Sequence, residues 1–597
     1  MRDLTRRDLL KAAGAAPFAA NLAAQQRPRA FAVNGTILKH TSTTGVFVPP
    51  RGRGFQKFSF DFPEPSVAFD RYEFGFRVFT HENVYGMSPR LSARVLDDNT
   101  GGVDVSCDEF VWAGGQQTAK GQLNARLRPN PDGGPGGITC SVAATMDRPV
   151  KAIGVVVRGV PRGRISAGGA PFFDPRDDEI LLGYPFSGGD LFGPQGNGGL
   201  TTPLVVIQPA GGDAVVALSS RDTLVRTKRF YLQPGEDSYR VELLVEAEGW
   251  RPEGTVETGT WRIESAASIG AVAESHYAHL ERAFAIPRWI DRSDVPDWLR
   301  RVQLVVTLHG MHYTGFIFND YARMKAILQW MATRIEPARV LVFLSSWDGR
   351  YYWDYPRYQP ADRMGGAAGF ASLIKDARTA GFRVMPMFGA NTANRNQPGF
   401  ARIADAATAK IDGDRLDLNW VDWDNDRHQE GWLSYMNLGV DSWRSWLEGR
   451  IADAIQRHDV DAYFLDIVGG WVNNPKADMH VGTRRLVENL RRRFPRVVGI
   501  GEMHYDAMMA FIPMYHSFGQ TLIKDIVQRH ANFFQHLSHP APGRGSTGVH
   551  EAGFGRWNPQ TLSLSDAAIP TLNVVDDTFE TYRNEMDAVI QRAKERA

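Results

Sequence analysis

The pattern of hydrophobic and polar positions changes character near residue 300. Before that point, short segments alternate apolar and polar residues and are separated by Gly, Pro, Asn and Asp. Such segments are typical of antiparallel strands with one buried face, and a long series of them indicates two packed sheets. The pattern therefore predicts an antiparallel β-sandwich domain over residues 30–285. Its clearest strands cover residues 55–62, 72–80, 91–96, 150–160, 204–208, 214–219 and 239–246.

A connector at residues 286–300, which contains Pro and Trp, leads into a second pattern in which continuous apolar runs alternate with amphipathic segments. Runs too apolar to face water, each followed by a helix, are typical of the parallel strands of a barrel. This alternation predicts a (β/α)8 TIM-type barrel domain over residues 301–597. The predicted strands cover residues 302–308, 340–344, 382–388, 463–465, 497–500 and 570–575, with two more expected near Phe533 and Thr547. The alternative is an open doubly wound sheet, for which the chain lacks a nucleotide-binding glycine motif.

Two of the apolar runs end in a carboxylate. The run at residues 461–466 ends in Asp466, and the next run along the chain, at residues 497–502, ends in Glu502. In a barrel, the carboxyl ends of the strands form the active-site face, and neighbouring strands lie about 4.8 Å apart. We therefore predict that Asp466 and Glu502 are a catalytic pair that flanks one reacting bond.

Other polar and aromatic side chains follow the predicted strands and are candidates for binding a substrate. Nine of the fifteen tryptophans also fall between Trp330 and Trp471. Polar groups that hold hydroxyls, beside indole rings that cover apolar sugar faces, suit a carbohydrate. An aspartate after a strand is also a common helix cap, and that alternative stays open for Asp348. The candidates are His309, Trp347, Asp348, Asn391, Asp422, Asp424, Trp471, His504, Tyr505 and Asp576.

The N-terminus resembles an export signal. Residues 5–11 place two arginines before two leucines and a lysine, and an Ala-rich, weakly apolar run extends to Ala24. This arrangement is typical of a twin-arginine signal peptide, which we assign to residues 1–24. We expect export to the periplasm or the medium, and no later run is long enough to span a membrane.

Composition narrows the choice of partners. The chain has a net charge of +1 and 43% hydrophobic residues, so it gives no reason to expect nucleic acid as a partner. The sequence does not indicate an oligomeric state, and we predict no cofactor and no metal. The two cysteines, Cys107 and Cys140, could form a disulfide or stay reduced, and they are too few for a cysteine-based metal site.

Two other functions remain open on the sequence alone. One is a metal-dependent amidohydrolase-type barrel, whose ligands would come from His309, His312, Asp348, Asp466 and Glu502. The segment from His309 to His312 is one residue too long for two ligands at alternate positions of a strand. The other is a carbohydrate-binding protein without catalytic activity.

Residues 436–446, the helix that follows them, the run to Asp466 and the segment 499–502 together resemble retaining glycoside hydrolases. The resemblance is to the α-amylase and α-galactosidase groups, in which the barrel follows a β-sandwich. It implies that Asp466 is the nucleophile and Glu502 the acid/base. The chain departs from the α-amylase group at Phe464, where that group has an arginine two residues before the nucleophile.

Overall fold

The structure is a computed structural model of the whole chain. It describes residues 29–33, 36–41, 64–88, 90–96, 101–112, 117–130, 132, 137–185, 198–212, 214–312, 315–350, 352–409, 433–516, 520–536, 539–540, 552–553, 568–575 and 578–596.

The first part of the described chain forms one extensive, mainly antiparallel sheet. In β17 the residues are alternately buried and half-exposed, which places Tyr239, Val241, Leu243 and Val245 in the core. β10 pairs with β4 along one edge and with β17 along the other, and among the described strands of this sheet only β12 and β13 pair in parallel. The strands are β1 (Arg29–Val33), β2 (Thr36–Thr41), β3 (Glu64–Phe69), β4 (Tyr72–Phe79), β5 (Val84–Met87), β6 (Ser92–Val95), β7 (Val103–Trp112), β8 (Gln117–Pro129), β9 (Ile138–Met146), β10 (Ala152–Pro161), β11 (Gly163–Ala167), β12 (Ile180–Tyr184), β13 (Gly198–Gly199), β14 (Leu204–Pro209), β15 (Val215–Ser220), β16 (Lys228–Pro234), β17 (Ser238–Glu246) and β18 (Thr255–Ala266).

The sheet confirms the predicted antiparallel character of this region. Six of the seven strands predicted from alternation correspond to β4, β6, β10, β14, β15 and β17. The seventh, at residues 55–62, lies outside the described residues. The division of the sheet into two facing layers stays a prediction.

The two cysteines are buried free thiols. Cys107 pairs with Leu123 of β8, and Cys140 pairs with Leu127 on the opposite edge of the same strand. Two strands on either side of a third are about 9.6 Å apart, beyond the reach of a disulfide. The register therefore excludes the disulfide that the sequence left open.

Helices α1 (Ile269–Phe284) and α2 (Asp297–Arg300) link the sheet to the second part of the chain. The Ser268 side chain accepts a hydrogen bond from the N–H of Ala271 and caps α1, and Ala285 ends it with a φ of 52°. Among the described residues, no helix has the length and the apolar character needed to cross a membrane.

The second part contains a closed barrel of eight parallel strands with helices between them. β19 is buried at all eight of its positions and pairs with both β20 and β30, which closes the ring. The barrel strands are β19 (Leu304–Met311), β20 (Val340–Arg350), β21 (Arg383–Gly389), β24 (Ala462–Asp466), β25 (Val498–Glu502), β26 (Met514–His516), β27 (Asn532–His536) and β30 (Ile569–Val574). Two short antiparallel pairs lie outside it, β22 (Thr392–Asn394) with β23 (Leu433–Tyr435) and β28 (His539–Pro540) with β29 (Ala552–Gly553).

Side-chain caps mark where several helices of this part begin. Asp320 accepts from the N–H of Arg323 at the start of α3, and Asp478 accepts from the N–H of Val481 at the start of α6. The helices are α3 (Tyr321–Ala332), α4 (Gly366–Ala380), α5 (Asp441–His458), α6 (Met479–Arg493), α7 (Lys524–Val527), α8 (Thr578–Thr581) and α9 (Arg583–Lys594).

Closure of the ring rules out the open-sheet alternative, and the six clearly predicted strands are all present. The strand expected near Phe533 is β27, whereas Thr547 lies outside the described residues. The remaining strand of the ring is β26, at Met514–His516. The prediction missed it because three residues are too few to show a periodicity.

Candidate active site

Asp466 and Glu502 end adjacent strands of the barrel, the fourth and fifth in chain order. β24 and β25 pair in parallel with Leu465 opposite Gly501, so the two acids are side by side at the same end. Both side chains are buried, Asp466 completely and Glu502 with 8% of its surface exposed. Glu502 Oε2 accepts a hydrogen bond of 2.9 Å from the N–H of Ile467, the residue after Asp466. The structure therefore brings the two predicted acids together.

The backbone turns sharply directly after each acid. Ile467 has a φ of 56° and Met503 a φ of 58°, both in the left-handed region. A β-branched residue is rare in that region, and such strain persists only where surrounding contacts hold it and is concentrated at functional sites. Here the N–H of Ile467 bonds to Glu502, and the N–H of Gly469 donates to the carbonyl of Glu502 at 3.0 Å. These two hydrogen bonds therefore connect the end of β24 to the end of β25.

Asn391 fixes the loop that follows Asp466. It lies just beyond the end of β21, is 1% exposed, and donates from Nδ2 to the carbonyls of Ile467 at 2.9 Å and Gly470 at 3.1 Å. The N–H of Ala390, its neighbour in the chain, donates to the carbonyl of Asp466 at 3.0 Å. Asn391 was predicted as a substrate-binding residue, and the contacts of its Nδ2 are with the loop behind the acids.

Asp348 is a buried acid at the end of the second strand. It is 1% exposed, and its Oδ2 has no hydrogen-bond partner among the described residues. Burial, with a smaller contribution from the charge of Asp354, raises the pKa of Asp348 to about 7. Its carboxyl group is therefore able to donate a hydrogen bond near neutral pH as well as accept one.

Two tyrosines that the sequence reasoning did not single out, Tyr355 and Tyr358, lie close enough to Asp348 and Asp466 to be affected by the charges of both. Burial first, and then the charges of Asp466 and Asp348, raise the pKa of Tyr355. The Tyr358 hydroxyl accepts from the N–H of Gly389 at 2.9 Å and donates to its carbonyl at 3.2 Å, and Gly389 is opposite Asp466 in the register. The aromatic-rich run at residues 351–358 was the available signal for both.

His309 and Trp347 lie at the ends of the first two strands. His309 is fully buried, with Nδ1 2.7 Å from the Ser345 hydroxyl. Trp347 stacks on Phe370 of α4 with ring centroids 4.8 Å apart and donates to the carbonyl of Met387 at 2.9 Å. Trp347 therefore packs between the barrel strands and helix α4.

The three predicted residues that follow Asp466 and Glu502 in their loops are buried and make contacts with distant parts of the chain. Trp471 packs edge-on against Trp250, which follows β17. His504 Nε2 is 2.9 Å from Gln520 Oε1, and burial lowers the pKa of His504 to about 4, so its ring is neutral at pH 7. The Tyr505 hydroxyl is 2.9 Å from His480 Nδ1.

Asp506, at the end of the Glu502 loop, is anchored by the sheet region. Tyr184 of β12 donates to Asp506 Oδ1 at 2.5 Å, and the Thr202 hydroxyl donates to Oδ2 at 2.8 Å. Thr202 Oγ1 is also 2.7 Å from His276 Nε2 of α1. Burial raises the pKa of Asp506 to about 6. The sheet and the barrel therefore jointly fix the loop that begins at Glu502.

His516 is a further strand-end residue that the sequence reasoning missed, because it closes the short β26. It is 2% exposed and lies opposite Glu502 in the register of β25 and β26. The predicted residues Asp422, Asp424 and Asp576 lie outside the described residues. Among the described residues, no group of three or more His, Cys, Asp or Glu side chains is arranged to hold a metal ion.

Comparison with family models and with curated proteins finds no match for this chain. Solved structures do match. The alpha-N-acetylgalactosaminidase NagBb from Bifidobacterium bifidum, in complex with GalNAc, superposes with a TM-score of 0.63 at 13% identity, over 95% of this chain and 93% of that one. Its ligand-free structure gives a TM-score of 0.61 at the same identity and coverage. The GH36 alpha-galactosidase AgaA from Geobacillus stearothermophilus gives 0.49 at 9% identity, over 95% of this chain and 86% of that one. At this identity the likeness to NagBb shows the fold, which extends over almost the whole of both chains.

Proposed function

We propose that the protein is a glycoside hydrolase that cleaves an O-glycosidic bond with retention of configuration, with Asp466 as nucleophile and Glu502 as acid/base. The observation that carries the proposal is the position of the two acids at the ends of adjacent, paired strands. There the N–H of Ile467, the residue after Asp466, donates a hydrogen bond to Glu502 Oε2. Adjacent strands are about 4.8 Å apart, which suits the separation of about 5 Å in retaining enzymes better than the 6.5 to 9.5 Å of inverting ones.

In the first half of the reaction, Glu502 donates its proton to the glycosidic oxygen as the bond from that oxygen to the anomeric carbon breaks. An Asp466 oxygen forms a bond to the same carbon from the opposite face and gives a covalent glycosyl-enzyme. In the second half, the Glu502 carboxylate takes a proton from water, the water oxygen attacks the anomeric carbon, and Asp466 is released as a carboxylate. Two inversions give a product with the original configuration.

Burial of both acids contributes to this chemistry, because a site from which water is excluded strengthens electrostatic interactions. The strained turns after Asp466 and Glu502 and the hydrogen bonds of Asn391 hold the carboxylates in place before substrate arrives. Such preorganisation lowers the barrier, since the groups need not reorganise during reaction.

The substrate is a carbohydrate, and we propose that its hydroxyls are held by polar groups at the strand ends. Asp348 is the strongest candidate, since it is buried and has an unpaired oxygen within the described residues. The other proposed contacts are those predicted from the sequence at His309, Trp347, Asn391, Trp471, His504 and Tyr505. Substrate binding by Asp422, Asp424 and Asp576 stays a prediction.

The sandwich form of the sheet and the TIM type of the barrel also stay predictions. The same holds for the twin-arginine signal at residues 1–24 and for export to the periplasm or medium.

The fold shared with NagBb makes a terminal N-acetyl-α-galactosaminide the first substrate to test. The purified chain is incubated with a panel of 4-nitrophenyl glycosides that includes this sugar, and the anomer released first is identified by proton NMR. Release of the sugar in its original configuration supports the proposal. An inverted first product contradicts the assigned roles, and loss of hydrolysis on adding EDTA favours the metal-dependent alternative. Carbohydrate binding with no hydrolysis across the panel favours a binding protein.

A further inference from the structure

Gln520 is a buried amide side chain between the barrel and the sheet region. It is 2% exposed and lies four residues after β26, the strand that pairs with the end of β25. Its Nε2 donates to the carbonyl of Gly168 at 2.9 Å and to the hydroxyl of Tyr277 at 3.1 Å. Its Oε1 is 2.9 Å from Nε2 of His504, in the loop that begins at Glu502. One side chain therefore connects this loop to the sheet region and to α1.

The directions of these hydrogen bonds follow from the groups that make them. The Gly168 carbonyl can only accept, which assigns the NH2 group of Gln520 to that side and leaves Oε1 facing His504. Burial lowers the pKa of His504 to about 4, so at pH 7 the ring is neutral and carries one proton. Because Oε1 can only accept, that proton is on Nε2. Gln520 therefore sets both the position and the tautomer of His504.

The rest of the His504 ring packs on aromatic side chains. Its centroid is 5.2 Å from that of Tyr515 on β26 and 5.0 Å from that of Phe533 on β27. Such packing limits the space for the ring, whereas a hydrogen bond also fixes its direction. Gln520 thus supplies the directional contact that orients His504.

The backbone between Glu502 and His504 is short and tightly packed. Only Met503 separates them, and its φ of 58° lies in the left-handed region. A Cβ at Gly469 would lie 2.6 Å from the carbonyl carbon of Met503 and 2.8 Å from the backbone N of His504. The N–H of Gly469 also donates to the carbonyl of Glu502. A shift of His504 would therefore displace Glu502 and press on the loop of the other acid.

The sheet side of this connection is itself fixed. The N–H of Gly168 donates to the carbonyl of Leu204 at 2.8 Å, and the carbonyl of Gly169 accepts from the N–H of Leu522 at 3.1 Å. Tyr277, on α1, is 1% exposed. Both groups that accept from Gln520 thus belong to well-packed parts of the chain.

We propose that Gln520 is a positioning residue for the acid/base. It holds His504 against the sheet region and so fixes the direction in which the Glu502 carboxyl group delivers its proton to the glycosidic oxygen. This inference rests on the proposed function and makes the sheet region a structural part of acid catalysis. It predicts that loss of Gln520 slows each substrate according to its need for a proton.

The test compares two substrates that have the same sugar and differ in their need for protonation. Phenyl N-acetyl-α-galactosaminide has a poor leaving group, whereas the 2,4-dinitrophenyl glycoside releases a stable anion. Gln520→Met keeps the approximate volume of the side chain and removes its hydrogen bonds. It should lower kcat/KM for the phenyl glycoside about tenfold, through kcat and not through KM, and change that of the dinitrophenyl glycoside by less than about twofold.

Gln303→Met is the matched control. Gln303 directly precedes β19, at the opposite end of the barrel from the acids, and its amide donates to the carbonyl of Arg596. This variant should match the parent chain on both substrates. Equal losses on the two substrates in Gln520→Met, or an unchanged rate on the phenyl glycoside, overturn the inference. If Gln520→Met does not fold, Gln520→Asn, whose amide is one methylene shorter, is measured in its place with the same expected result.

If the parent chain cleaves neither substrate, the proposed function fails for this sugar, and hydrogen exchange followed by mass spectrometry then decides the inference separately. Peptides that cover residues 502–506 should exchange about tenfold faster in Gln520→Met than in Gln303→Met, because the loop has lost its directional contact. Equal exchange in the two variants contradicts the positioning role.

Discussion

The carboxylate of Glu502 is hydrogen-bonded at 2.9 Å to the backbone N–H of Ile467. Ile467 directly follows Asp466 and has a φ of 56°, so one hydrogen bond links the acid of the fifth strand to the strained turn that ends the fourth. The positions of the two acids are therefore coupled, and a substitution at either strand end should alter the geometry of the other.

Removal of the Glu502 side chain should affect substrates unequally. A poor leaving group such as a sugar needs protonation, whereas 4-nitrophenolate leaves without it. Glu502→Ala should therefore lower kcat/KM by about 10²- to 10⁴-fold on a disaccharide and much less for the step that releases nitrophenolate. The measurement is kcat/KM for both substrates, with Glu448→Ala on the outer helix α5 as the control variant. Equal losses on the two substrates would argue against the acid role.

Asn391→Ala should loosen the loop behind Asp466. The variant loses two buried hydrogen bonds to the carbonyls of Ile467 and Gly470. We expect the free energy of unfolding to fall by about 1 to 3 kcal/mol for the two hydrogen bonds lost. The carbonyls themselves stay paired, since Ile467 also accepts from the N–H of Gly470 and Gly470 from the Tyr435 hydroxyl. Urea unfolding followed by tryptophan fluorescence measures this. Asn489→Ala removes a partly buried hydrogen bond to Glu448 and an exposed one from Arg492, so it is the comparison and should cost less. Equal losses of stability in the two variants would contradict the assigned role of Asn391.

Tyr184→Phe should weaken the contact between sheet and barrel. The hydroxyl of Tyr184 donates to the buried carboxylate of Asp506 at 2.5 Å, and hydrogen bonds to charged groups contribute about 1.5 to 3 kcal/mol. Tyr239→Phe loses a contact of 3.4 Å to the carbonyl of Gly163 and an interaction with the partly exposed Arg162, and it serves as the control. Chemical denaturation of the two variants gives the comparison, and a Tyr184→Phe chain as stable as Tyr239→Phe would contradict the assigned role.

Asp348 should make stability fall as pH rises. Its pKa is raised from an ordinary value of 3.8 to about 7 in the folded chain, so between these values the folded state binds more protons than the unfolded state. The contribution of Asp348 to the free energy of unfolding is therefore most favourable below pH 4. It falls by up to about 4 kcal/mol in total as the pH rises through 7. Asp348→Asn cannot ionise, so its Tm should equal that of the parent chain at pH 4 and exceed it at pH 8. Parallel Tm curves for the two chains from pH 4 to 8 would show that the carboxyl group is not held protonated.

The sequence allowed the barrel and its two acids to be predicted because long apolar runs on a parallel strand leave a strong pattern, and Asp466 and Glu502 each end such a run. β26 left no pattern in its three residues, so His516 was missed. The pairing of Tyr184 with Asp506 joins residues 322 positions apart, and no local periodicity carries that information. The left-handed turn at Ile467 opposes the preference of a β-branched residue and is set by its neighbours in space.

The nucleophile is the central claim, and the rate of Asp466→Ala with and without azide tests it most directly. On a 4-nitrophenyl glycoside that the parent chain hydrolyses, the variant should lose at least about 10³-fold in kcat. Azide can enter the space left by the carboxylate, so it should restore release of nitrophenol and yield a glycosyl azide of inverted configuration. Asp453→Ala, on the outer helix α5, is the control and should behave as the parent chain. A variant that keeps more than about a tenth of the parent rate, or that is inactive and forms no inverted azide, would contradict the assignment of Asp466.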